Sequence, residues 1–281
     1  MSDLCGLVAQ AGANDAWYED AFLPGRPVRL WSARPKTYAA KTPLLFVHHG
    51  DLRNGREFRD FWLPLVDEVR ILVIAPEFSA TAYPGPEWYN LGNRVDAEGR
   101  TKPREQWTYG VPERIFAALG QQGITARKRY GLFGHSSGGQ FVHRAISLGF
   151  RNGVAAAATA NAGTYAMPTF DVAFPYGLGD AEVDEAALRT LLAFRLTIFA
   201  GTADIDTAAA HFPRDPTAMR QGPTRYARAH AYMAAARRMA AALEVSCAWT
   251  LIEVPDVGHD GGKMSAAAAA AVAAELYASE S

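Results

Sequence analysis

The segment Gly134-His135-Ser136-Ser137-Gly138 has the pattern G-x-S-x-G, a sharp strand-to-helix turn with a serine at its apex. Glycine at both flanks lets neighbouring backbone pass close by. A helix that starts just after the serine aims backbone N–H groups at the place where negative charge develops. Ser137 competes as nucleophile, but the residue two before it is His135 rather than glycine, so Ser136 is the expected one. A serine hydroxyl is a weak nucleophile until a base takes its proton. Among seven histidines the expected base is His259, in the glycine-rich turn Val257-Gly258-His259-Asp260-Gly261-Gly262 after the last apolar run. His135 sits inside the turn, where packing or hydrogen bonding suits it better. His143 falls on the next helix, and His211 and His230 read as surface positions. The third member is a carboxylate that fixes the imidazole tautomer. Asp204, in Ala200-Gly201-Thr202-Ala203-Asp204-Ile205-Asp206, follows a strand and lies between serine and histidine in chain order. Asp206 is its rival, since a two-residue shift in a loop leaves the same pattern.

Acyl transfer also needs donors for the oxyanion. One is the Ser137 N–H, directly after the nucleophile. The other is expected from the loop after the first central strand, His49-Gly50-Asp51-Leu52. Asp51 would offer its N–H while its carboxylate points away and ties down the loop or caps the next helix; Leu52 is the alternative donor. Arg53 beside them reads either as a partner for a substrate carboxylate or as a solvated loop arginine.

These residues need a rim to stand on. Apolar runs alternate with helix-like segments, the pattern of a mostly parallel sheet with crossover helices on both faces. Strands are expected at 43–50, 71–75, 130–133, 154–160, 196–200 and 248–254, with Val28–Ser32 as an edge strand. Helices are expected at 55–69, capped by Asn54, and at 112–122, 140–148, 224–243 and the C-terminus. Two stretches, 79–110 and 164–194, show no clear strand and frame the rim. Irregular segments beyond roughly fifteen residues are often functional. Their aromatic residues Trp88, Tyr89, Trp107 and Tyr165 are the candidate substrate-binding side chains, though any of them could simply anchor its loop to the core.

The chain has 281 residues, 49% hydrophobic and 20% charged, enough for a sizeable core within one domain spanning 1–281. Its 28 Lys and Arg balance 29 Asp and Glu, so no net field draws it to nucleic acid or an anionic membrane. No apolar run spans a bilayer and the N-terminus lacks the features of a secretory signal. Cys5 and Cys247 read as idle thiols, and the expected setting is the cytoplasm. Neither H-E-x-x-H nor C-x-x-C occurs, so zinc is not expected.

With His49-Gly50 after a strand, Gly134-His135-Ser136-Ser137-Gly138-Gly139, Gly201-Thr202-Ala203-Asp204 and Gly258-His259, the chain resembles the α/β-hydrolase superfamily. More narrowly, it is similar to the carboxylesterases related to polyhydroxybutyrate-depolymerase-like esterases. The resemblance implies the α/β-hydrolase fold, no metal or organic cofactor, and two-step acyl transfer on a small-molecule ester. The expected assembly is a monomer or homodimer. A peptidase or amidase would use the same triad, and a ligand-binding protein of this fold is the non-catalytic alternative.

Overall fold

The runs at 44–48 and 154–160 are buried over their whole length, as strands covered on both faces must be. The computed structural model describes residues 2–209 and 211–279. In it β1 (Gly12–Tyr18), β2 (Val28–Arg34), β3 (Leu44–His48), β4 (Leu72–Glu77), β5 (Tyr130–His135), β6 (Val154–Ala160), β7 (Leu196–Gly201) and β8 (Thr250–Val254) share one eight-stranded sheet. Their spatial order is β1-β2-β4-β3-β5-β6-β7-β8, antiparallel at β1/β2 and β2/β4 and parallel from β4 to β8. The expected α/β-hydrolase fold is therefore present. Val28–Ser32 is not an edge strand. It is paired on both sides, and β1, with only Ala13, Ala16 and Trp17-Tyr18 as its apolar residues, takes the edge.

The helices are α1 (Gly55–Trp62), α2 (Val66–Val69), α3 (Val111–Gln121), α4 (Ser137–Ser147), α5 (Glu185–Ala193), α6 (Pro216–Gln221), α7 (Arg225–Ala242) and α8 (Gly261–Ala278). The single helix expected over 55–69 is broken between α1 and α2 around Pro64, which has no N–H to give. Asn54 does not cap α1 with its side chain; that amide donates to Glu57 instead. The 164–194 stretch contains α5, whose first turn is capped by Asp184 accepting the Ala187 N–H at 2.8 Å.

Alternation along the strands builds two cores. Leu44, Phe46 and Leu132 face α3, α4, α5 and α7, while Leu45, Val47 and Phe133 face α1, α2 and α8. Trp62 is fully buried in the second core, edge-on to Phe133 at 5.5 Å. Truncating it to alanine would cost about 3–5 kcal/mol. The alanines of β6 matter for the site. Their small side chains let α4 lie so low on the sheet that a Cβ at Gly139 would come within 2.8 Å of Thr159 Oγ1. A low helix beside its own strand forces the connecting turn to be sharp.

Candidate active site

That turn is Ser136. Its φ of 58° and ψ of −121° put a non-glycine residue in a sparsely populated region, a strain of order 1–3 kcal/mol. The backbone around it holds the strain in place. The Ser136 N–H donates to Ala160 and its carbonyl accepts from Gln140. A side chain at Gly134 would run into the Gly138 carbonyl, and one at Gly138 would run into those of His48 and His49. Both glycines of the motif are thus demanded by backbone passing backbone. The Ser136 side chain does not cap α4; its Oγ lies 2.9 Å from His259 Nε2 instead.

His259 lies between the end of β8 and the start of α8, which Asp260 caps by accepting the Lys263 N–H at 2.9 Å. Its Nδ1 is 2.8 Å from Asp204 Oδ2. The Asp204 side chain is wholly buried, and its other oxygen lies 3.5 Å from Nη1 of Arg225. Serine, histidine and aspartate therefore form one hydrogen-bonded line, with Nδ1–H donating to the carboxylate and Nε2 left to accept from the hydroxyl. Asp206, the rival, accepts the Ala208 N–H in its own loop at 2.7 Å and stays out of this line.

Two further residues hold the line together, and the first of them, Asn161, was missed in the sequence. Asn161, at the end of β6 with φ 46°, donates through Nδ2 to Gly258 O and accepts the Gly201 N–H at Oδ1, both at 2.9 Å. It ties the loop that carries Asp204 to the loop that carries His259. His135 is buried with its ring 4.6 Å from that of His259, and burial holds it well below the ordinary histidine range. It packs as a neutral shelf beneath His259, as its place inside the turn suggested.

The loop after β3 flanks the serine: a Cβ at Gly50 would lie 3.8 Å from Ser136 Cβ. Ser137 opens α4, so its N–H has no intrahelical acceptor. The Asp51 N–H has no acceptor among the described residues either. The Asp51 carboxylate turns to His211 Nδ1 at 3.2 Å; His211 is an exposed surface residue, as expected, and also borders the cleft. Arg53 meets neither expectation. Its guanidinium donates to the carbonyls of Phe78 and Gly85 and stacks 4.4 Å from Tyr89, pinning the 79–110 segment to the loop. His49 donates from Nδ1 to Gly50 O and accepts the Phe78 N–H at Nε2, which fixes it neutral.

The serine sits between two lobes, each of about 340 Å³. Leu52, Asn54, Glu57, Phe58 and Phe61 line one; Asn90, Gln140, Arg144, Thr164 and Tyr176 line the other. Asp51, Ser136, His211 and Arg225 line both. None of Trp88, Tyr89, Trp107 and Tyr165 lines either lobe. Trp88 lies under Arg26 at 3.6 Å, and Trp107 is buried beside Phe150. Tyr89 donates to the His49 carbonyl from behind the loop, and Tyr165 is buried on Tyr232 at 4.4 Å. These four rings stabilise the long segments by entering the core, and the segments meet the cleft through Pro86, Asn90, Thr164 and Tyr176. A separate groove of about 580 Å³ between Met167–Tyr176 and α7 contains none of Ser136, Asp204 and His259. No group of three potential metal ligands occurs among the described residues.

No protein-family model and no curated protein matches the chain. Solved structures do. Poly(aspartic acid) hydrolase-1 from Sphingomonas sp. KT-1 is 36% identical over 94% of this chain and 99% of its own, with a TM-score of 0.89. The poly(3-hydroxybutyrate) depolymerase from Bordetella parapertussis is 40% identical over 96% of each chain, with a TM-score of 0.89. An S-formylglutathione hydrolase from Agrobacterium tumefaciens shares the fold at 15% identity, covering 99% of this chain and 98% of that one, with a TM-score of 0.52. With this fold and these relatives, the chain belongs to the α/β-hydrolase superfamily, among its polyhydroxybutyrate-depolymerase-like serine esterases.

Proposed function

We propose that this hydrolase cleaves carboxylic esters through an acyl-enzyme on Ser136, with His259 as base and Asp204 as the acid that orients it. The observation that carries the reading is the unbroken line from Ser136 Oγ to His259 Nε2, and from His259 Nδ1 to Asp204 Oδ2, at 2.9 and 2.8 Å. Ser136 attacks the ester carbonyl as His259 takes its proton. The N–H groups of Ser137 and Asp51 receive the oxyanion; one such donor is worth about 2.7–4 kcal/mol of transition-state stabilisation. Asp51 is preferred to Leu52 because Asp51 borders both lobes at the serine and Leu52 only one. His259 returns the proton to the departing alcohol, then activates the water that releases the acid. The two lobes on either side of Ser136 suit the acyl and alcohol halves of one substrate. We place the reaction in the cytoplasm, in keeping with the unpaired Cys5 and Cys247.

A second reading, amide cleavage, draws on the relative that acts on poly(aspartic acid), a polyamide. The test is hydrolysis of p-nitrophenyl acetate, butyrate and octanoate beside the matching p-nitroanilides. Turnover of the esters alone supports the first reading. Comparable turnover of the anilides moves the assignment to an amidase, and turnover of neither removes both.

A further inference from the structure

Arg225 is the first residue of α7 and only 4% exposed, yet it borders both lobes of the cleft. Its Nη1 is 3.5 Å from Asp204 Oδ1, the oxygen that His259 does not use. The same helix end holds the backbone of the acid, through Tyr226 N–H to the Asp204 carbonyl at 3.3 Å. The guanidinium packs 5.0 Å from the ring of Phe212, and Thr224 caps the helix by accepting the Ala227 N–H. A buried carboxylate is costly unless a cation compensates it. When His259 is neutral it supplies none, and Arg225 is the one arginine or lysine paired with Asp204 among the described residues.

We propose that Arg225 is a positioning residue of the catalytic centre, holding the Asp204 carboxylate turned so that one oxygen always faces His259. This rests on the reading of Ser136, His259 and Asp204 as the triad. A fixed positive charge on the far side of the carboxylate holds the acid in register for the imidazole, which favours turnover.

Other charged or titratable groups face this cluster. His135 lies on His259 from the end of β5, and Asp51 with His211 stands across the cleft. Asp206 and Arg214 in the loop after β7, and Arg228 one turn along α7, act on the Arg225 charge. Tyr165 lies on the Asp204 side. All are retained when Arg225 alone is changed, so a difference between neutral and charged substitutions isolates its charge.

The experiment is steady-state kcat and KM on p-nitrophenyl acetate for wild type, Arg225→Met, Arg225→Gln and Arg225→Lys, with Ser136→Ala as control. The neutral variants are expected to lose about tenfold or more in kcat with KM little changed. Arg225→Lys is expected to recover most of that loss. An equal loss in all three variants would overturn the proposal, as would wild-type kcat throughout or a loss confined to KM. If neither neutral variant folds, Arg225 is a structural brace and the proposal also falls. Failure of the underlying triad reading looks different: Ser136→Ala then keeps wild-type turnover.

Discussion

Asn161 donates to the carbonyl of Gly258 at 2.9 Å, and the other end of its amide takes the N–H of Gly201 at the same distance. One side chain thereby sets the spacing between the loop that carries Asp204 and the turn that carries His259. The donor and acceptor on either side also fix which end of the amide is which.

Asn161→Gly removes the amide without adding strain at φ 46°. It leaves the Gly201 N–H unpaired in a buried place, a cost of about 1–3 kcal/mol. We expect a lower melting temperature and a fall in kcat larger than any change in KM. Unchanged kcat would show that the two loops keep their spacing without the clamp.

Asp204→Asn should lower kcat by about 10⁴-fold, because an amide facing Nδ1 favours the wrong tautomer. Asp206→Asn should leave kcat close to wild type, since its carboxylate serves the Ala208 N–H. Steady-state kinetics on one ester decides the matter, and a reversed pattern would exchange the two assignments.

Gly138→Ala would place a methyl against the carbonyl of His48 and 2.6 Å from that of His49. The loop that offers Asp51 would have to retreat from the serine. Loss of one oxyanion donor costs about 10²–10³ in kcat, and a comparable fall is expected here together with a lower melting temperature. Near wild-type kinetics would mean the loop shifts without cost and contributes no donor.

His48, His49, His135 and His143 are buried, and burial pushes each below its ordinary range, His49 to about 3. The unfolded chain takes up these protons near pH 6.5 and the folded chain does not. Their neutral burial therefore costs nothing above about pH 6.5, and stability is lost as the pH falls below it. Each histidine adds up to about 1.4 kcal/mol per pH unit to that fall. Urea midpoints should drop steeply between about pH 6.5 and pH 5.5. A flat midpoint would mean that these rings accept protons in place.

Much of this was legible in the sequence because local chemistry demanded it. The elbow could be read from Gly134, Ser136 and Gly138, and the central strands from apolar runs too continuous for a half-exposed sheet. Strand β1 was not, since an edge strand needs only a sparse apolar pattern and Gly12–Tyr18 offers little more. Helix α5 did carry a signal, Asp184 as cap followed by Leu188, Leu191 and Leu192 on one face, inside a stretch otherwise irregular. Asn161 and Arg225 act over 97 and 21 residues of chain respectively, and nothing near them in sequence announces the partner. Trp88, Tyr89, Trp107 and Tyr165 do not line the cleft because ring burial, the commoner use of such side chains, also holds these segments down, whereas Tyr176 of the second segment does reach it.

The central claim is that Ser136 is the nucleophile, and the direct measurement is where a fluorophosphonate probe attaches. Peptide mass spectrometry after labelling is expected to place one adduct on Ser136 in the wild type and none in Ser136→Ala, with ester turnover lost in parallel. An unlabelled wild type, or an adduct that persists in the variant on Ser137, would contradict the account.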